Sequence, residues 1–338
     1  MRVLTVPDVV KIINKHGISK ILLDLMAAMR QDFCRWDEFN KMPRPAFHVP
    51  GGVIELMPIA DNDYFAFKYV NGHPQNPELN KQTVVATGQL SAIKDGYPIL
   101  GSEMTVLTAL RTAAAAAIAT SVLARKNANT IAMIGTGAQS EFQIYAHTLV
   151  RDIKTVRYHD IDSKAMDKFA KNMQHLDLEF VRCPSNAEAV RDADIVIVCT
   201  ACKNHVDVIY DAWIKPGVHI NGLGGDCPGK TELEKSLLYR SKIVVEYLSQ
   251  SLIEGEIQRF NQAEADKYVY AELWQILSGQ KNGRENNVEI TLFDSVGFAL
   301  EDFSVLKFIS ELANKYNVGC DMEMTPNIQD PKNLFGVL

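Results

Sequence analysis

Thr130 to Asp160 reads TIAMIGTGAQSEFQIYAHTLVRDIKTVRYHD. Ile131 to Ile134 is a short apolar run of the kind a buried parallel strand shows. Gly135-Thr136-Gly137 predicts a tight turn, and a helical pattern runs from Ser140 to about Arg151. Thr155 to Tyr158 reads as the next strand and ends on His159-Asp160. Strand, glycine turn, helix and strand make a βαβ unit with a phosphate cradle. Gly135 permits the turn, and Gly137 lets backbone N–H groups approach a pyrophosphate at a helix N-terminus. Ser140 takes the third position, small enough to sit close to the strand. Asp160 falls where a carboxylate meets the hydroxyls of an adenosine ribose. A glycine turn alone is a weak signal; the strand before, the helix after and the acid beyond point to a dinucleotide site.

Downstream, strands and helices alternate: Glu179 to Cys183, Ser185 to Ala193, Asp194 to Thr200, Val218 to Gly224, Lys230 to Ser241 and Lys242 to Tyr247, with a late strand at Val288 to Phe293. This predicts α/β architecture, a central Rossmann-type doubly wound parallel sheet. Upstream the pattern differs. The first forty residues read as helix, with Pro7 in a first turn. Gly52 to Ile59, Tyr64 to Val70, Thr83 to Leu90 and Tyr97 to Ser102 then form an antiparallel meander, with turn signals at Ala60–Asp63 and Asp95-Gly96. Met104 to Ala124, rich in Ala and Thr, carries one charge, Arg111. That composition suits a helix buried between protein layers better than a membrane span.

Charged residues are 22% and the net charge is -6 with no basic run, which gives no footing for nucleic acid or an anionic membrane. Met1 to Gly17 lacks the apolar run of a secretory leader, and six cysteines in 338 residues do not make a disulfide scaffold. The expectation is a reduced cytoplasmic setting.

Several charges sit in apolar surroundings. Glu55 interrupts Val-Ile-Glu-Leu-Met and Lys68 interrupts Phe-Ala-Phe-Lys-Tyr-Val. If the 60–63 turn is symmetric, Glu55 lies opposite Lys68, either as a cross-strand ion pair on a solvated face or as two walls of a pocket. Arg111, on a neutral helix with no acid one turn away, needs a partner, and a substrate carboxylate would supply it. Arg44 opens the meander. Asp226, in GLGGDCPGK after the strand ending near Leu223, would face the nicotinamide end of a cofactor at the carboxyl edge of the sheet. An Asx turn or a helix cap before Thr231 is the other reading of that aspartate. Cys199-Thr-Ala-Cys202 with His205 lacks a fourth ligand of plausible spacing, so no metal is expected.

Taken together, IELMPIADNDYFAFKYVNGHP, ALRTAA, IGTGAQSEFQ, GGDCPGKTEL, VEY with EGEI, and FDSVGFALED resemble the ornithine cyclodeaminase/mu-crystallin family over nearly the whole chain. The resemblance implies a Rossmann domain at 113–298, and an α+β substrate-binding and dimerisation domain at 1–112 and 299–338. It implies that Arg44, Lys68 and Arg111 hold a substrate α-carboxylate and that Glu55 and Asp226 meet its side-chain amine, Asp226 as general base. Thr83, Thr112, Gly135, Gly137, Ala138, Gln139, Asp160, Thr200, Lys230 and Ser295 would bind NAD. The implied reaction is L-ornithine to L-proline and ammonia, in a cytoplasmic homodimer. A cyclic ketimine reductase, a lysine cyclodeaminase and a non-catalytic NADP-binding crystallin are the alternatives within the family.

Overall fold

The computed structural model describes residues 1–201 and 205–338. Two eight-stranded sheets organise it. The first contains β1 (Arg2–Leu4), β2 (Asn40–Lys41), β3 (Ala46–Val49), β4 (Gly52–Ala60), β5 (Tyr64–Gly72), β6 (Val84–Ala92) and β7 (Pro98–Glu103), with β16 (Cys320–Asp321) returning to its edge. Its order is β16-β1-β7-β6-β5-β4-β2, with β3 also on β4, and the meander from β4 to β7 is antiparallel throughout.

The second sheet contains β8 (Thr130–Ile134), β9 (Thr155–His159), β10 (Glu179–Arg182), β11 (Ile195–Val198), β12 (His219–Gly222), β13 (Ser241–Val245), β14 (Val269–Glu272) and β15 (Ile290–Asp294). The order β10-β9-β8-β11-β12-β15-β13-β14 is parallel at every pairing. The chain reverses its direction of travel between β8 and β11, the position where open α/β sheets open a crevice. Alternate residues feed different cores. Ile131 and Met133 pack with one cluster, Ala132 and Ile134 with another, and all are buried. A sheet covered on both faces therefore shows unbroken apolar runs.

The longer helices are α1 (Val6–His16), α2 (Ile18–Cys34), α3 (Thr105–Leu123), α4 (Ser140–Thr148), α5 (Ser163–Met173) and α6 (Ala299–Tyr316). The opening forty residues are not all helix. A three-residue strand precedes α1, and Gly17, at φ +88°, breaks the helical stretch in two. Between Lys230 and Ser241 the helix covers only Lys235–Arg240.

Helix α3 touches β6 of the first sheet and β12 and β15 of the second. Its most apolar 18-residue window is 78% buried, so its neutral composition answers to protein on both sides. Helix α6 packs against α2, α3 and β5. A single core joins these helices to the inner face of the first sheet, through Met57, Ile59, Ala66, Leu110, Phe303 and Leu306.

Candidate active site

Between the two sheets lies a cavity of about 260 Å³. From the first sheet come Glu55 on β4 and Lys68 on β5, with Arg44 before β3 and Thr83 before β6. Helix α3 adds Arg111 and Thr112. The second sheet sends Gly137, Ala138 and Gln139 from beyond β8, Thr200 from beyond β11, Asp226 and Lys230 from beyond β12, and Ser295 from beyond β15. Residues spread over 250 positions thus converge because every second-sheet contribution leaves the carboxyl end of a parallel strand. Gly135 and Asp160 stand just behind this wall. At Gly135, φ is +91° and a Cβ would come within 2.6 Å of the Cys199 carbonyl oxygen. Asp160 accepts from the Thr136 N–H at 2.6 Å and from its hydroxyl at 3.2 Å, which ties the glycine turn to the end of β9.

The register differs from the symmetric count. Asp61 to Tyr64 closes the turn, so Glu55 pairs with Val70 and Lys68 with Met57. A shift of two residues leaves both charges on one face but removes the direct pair. Arg44 takes Glu55 instead at 3.2 Å and grips Glu254 from two nitrogens, one at 2.8 Å. Lys68 donates to Asp302 at 2.8 Å.

Arg111 also departs from expectation. Its partners lie in the protein: Glu301 at 2.7 Å and Asp302 at 3.1 Å, both on α6. The acid absent one turn away on α3 arrives from a helix almost two hundred residues later. Asp226 is neither a cap nor an Asx turn. Its side chain is half exposed and accepts from Lys230 Nζ at 2.9 Å.

Burial, reinforced by Arg111, lowers the Lys68 ammonium to about 8 against the pull of Asp302. Burial works against Lys230 too, but Asp226 and Glu232 outweigh it and hold that ammonium above its ordinary value. Burial raises Glu254 to about 7 despite Arg44. Burial pushes the Cys199 thiol up to about 12, which suits a packed sulfur rather than a nucleophile. Cys202, the other half of the CxxC, lies outside the described residues.

Four further acids were not legible as site residues. Glu246, Glu254, Glu301 and Asp302 are all buried around the cavity. The signal was present but mute, since three short segments, VEY, EGEI and ALED, carry these acids among apolar residues.

The residues fit a dinucleotide. The turn that Gly135 allows presents Gly137 and Ala138 at the cavity, Gln139 Oε1 is buried with no partner among the described residues, and Asp160 follows the second strand. The sequence matches the model of the ornithine cyclodeaminase/mu-crystallin family over residues 7–317. The chain belongs to this family. Ornithine cyclodeaminase of Agrobacterium fabrum (strain C58) is 45% identical over 335 residues, 99% of this chain and 94% of that protein. Among solved structures, an archaeal alanine dehydrogenase dimer with bound NAD is 32% identical, with a TM-score of 0.87 over 96% of this chain and 99% of the other. A lysine cyclodeaminase whose structure concerns recognition of L-lysine, L-ornithine and L-2,4-diaminobutyric acid is 25% identical, with a TM-score of 0.93 over 100% and 99%. Family membership accounts for both sheets at once, since these likenesses extend over nearly the full chain.

Proposed function

We propose that this protein is an ornithine cyclodeaminase that converts L-ornithine to L-proline and ammonia with NAD as cofactor. The observation that carries the reading is Glu55. Arg44 holds its Oε2, but its Oε1 is buried at the cavity with no partner among the described residues, while Asp226 stands half exposed in the same cavity. An unpaired buried carboxylate oxygen is costly unless a cation occupies the space before it. An amino acid with an ammonium tail supplies that cation, and alanine does not.

Arg44, Lys68 and Arg111 receive the α-carboxylate and fix the Cα–H bond, turning binding energy into orientation. NAD, which Gly137, Ala138, Gln139, Thr200, Lys230 and Ser295 would hold, would supply reversible hydride chemistry at Cα without net consumption. Glu55 orients the δ-amine. Asp226 removes its proton so that the freed lone pair can attack C2, and returns that proton to the departing ammonia. Asp160 favours NAD over NADP, because a 2′-phosphate would meet its carboxylate.

We keep the division at 112/113, within α3, and at 298/299, before α6; β8 to β15 lie between these points and the first sheet's strands outside them. The outer face of the first sheet exposes Leu56, Phe65, Tyr69 and Val85. We assign this face to a second copy of the chain, in keeping with the dimer reported for the alanine dehydrogenase relative. Among the described residues Cys34, Cys183, Cys199 and Cys320 are free thiols, which fits a reducing cytoplasm.

The test is direct. Purified protein with excess L-ornithine and catalytic NAD should release proline and ammonia in equal amounts without net NADH. Parallel reactions with lysine and with NADP read tail length and cofactor choice. Absence of proline would overturn the assignment.

A further inference from the structure

Behind the cavity, two carboxyl groups meet. Glu246, directly after β13, is fully buried. It accepts from the Ser295 hydroxyl at 2.6 Å, the Val296 N–H at 3.0 Å and the Gly297 N–H at 2.8 Å. Those three residues form one wall of the cavity. Glu301, in the first turn of α6, is equally buried and accepts from Arg111 at 2.7 Å through Oε2. Among the described residues its Oε1 has no N–H or hydroxyl donor, and its carboxyl neighbours that of Glu246, because Gly297, which donates to Glu246, packs against the Arg111 guanidinium that Glu301 holds.

Two ionised carboxylates in contact, away from water, repel strongly, and one shared proton relieves that repulsion. The surrounding charges add to the argument. Arg111 from α3, Lys68 from β5 and Asp302 from α6 complete the cluster, so two cations face three acids before any substrate carboxylate arrives. A retained proton balances the cluster and leaves it able to accept an anion. We propose that Glu301 is protonated and donates to Glu246, making the pair a strut between Arg111 and the Ser295–Gly297 wall. Burial and the nearness of Glu246 hold the Glu301 carboxyl well above the ordinary carboxylate range. Gly297 sits tight in the same joint: at φ +77°, a Cβ there would lie 2.5 Å from an Arg111 nitrogen. Resting on the reading that Arg111 grips the substrate and that the wall faces the cofactor, the strut sets the two in register. Glu246 and Glu301 are positioning residues.

Infrared difference spectroscopy of wild type against Glu301→Gln should show an un-ionised carboxyl stretch, deuterium-sensitive, present in wild type only. The difference removes the contribution of other buried acids. Glu246→Gln should lose the same band, since its amide would donate to Glu301 and allow it to ionise. In kinetics, Glu301→Ala should raise KM for both ornithine and NAD on the order of tenfold. Glu301→Gln should recover most of that loss, because its amide donates to Glu246 while its oxygen accepts from Arg111. Absence of the band, or a folded Gln variant as impaired as Ala, would overturn the proposal. The spectrum requires no turnover, so a protein that made no proline would sink the functional reading without touching this test.

Discussion

At the scale of single residues, Asp226 carries the sharpest claim. An ammonium has no lone pair, so ring closure waits until a base takes a proton. Asn in place of Asp keeps the size and can still accept from Lys230, but it cannot act as that base. Asp226→Asn should bind NAD as wild type does and form proline roughly 100-fold more slowly. Near wild-type proline formation would remove the residue from the mechanism. Lys68 gives a pH dependence. Its ammonium is charged below about 8, so affinity for a carboxylate should weaken as pH rises through that value. Binding of pentanoate, which has ornithine's length and no amine to titrate, isolates the enzyme group; a flat profile to pH 10 would contradict the assignment. Residue types were legible here because charge in an apolar run is conspicuous. Partners were not, because a hydrogen bond between Lys68 and Asp302 spans 234 positions and leaves no local pattern.

At the scale of elements, the glycine turn and the strands around it were readable because a parallel sheet covered on both faces has a composition of its own. The meander's strands were readable too, but their register was not. Asp61 accepts from the N–H groups of Asp63 and Tyr64 and so fixes a turn that apolar pattern alone does not specify. Helix α3 illustrates the same limit. Its single charge was visible, while the acids that meet it lie on α6. This changes the expected outcome of Arg111→Ala. Removal leaves Asp302 with Lys68 alone and strips Glu301 of its donor, so the variant should lose about 1–3 kcal/mol in urea unfolding as well as ornithine turnover. A variant as stable as wild type would show that the helix charge serves the substrate alone.

At the scale of the whole molecule, the outer face of the first sheet predicts association. Leu56 lies opposite Tyr69, and Val85 follows on the next strand, so exposed apolar side chains run across neighbouring strands of one face. Tyr69→Glu should therefore halve the mass seen by light scattering while leaving the melting transition of the protomer cooperative. An unchanged mass would move the interface elsewhere. The closing of that same sheet by β16 on β1, with Arg2 meeting Asp321 at 3.2 Å, also bears on synthesis. On a ribosome, residues 130–294 can complete their sheet from consecutive strands, whereas the first sheet and the charges it carries wait for α6 and β16, which emerge after them. Until then Lys68 and Arg111 lack the acids that neutralise them, so a nascent chain should acquire its nucleotide pocket before its ornithine pocket.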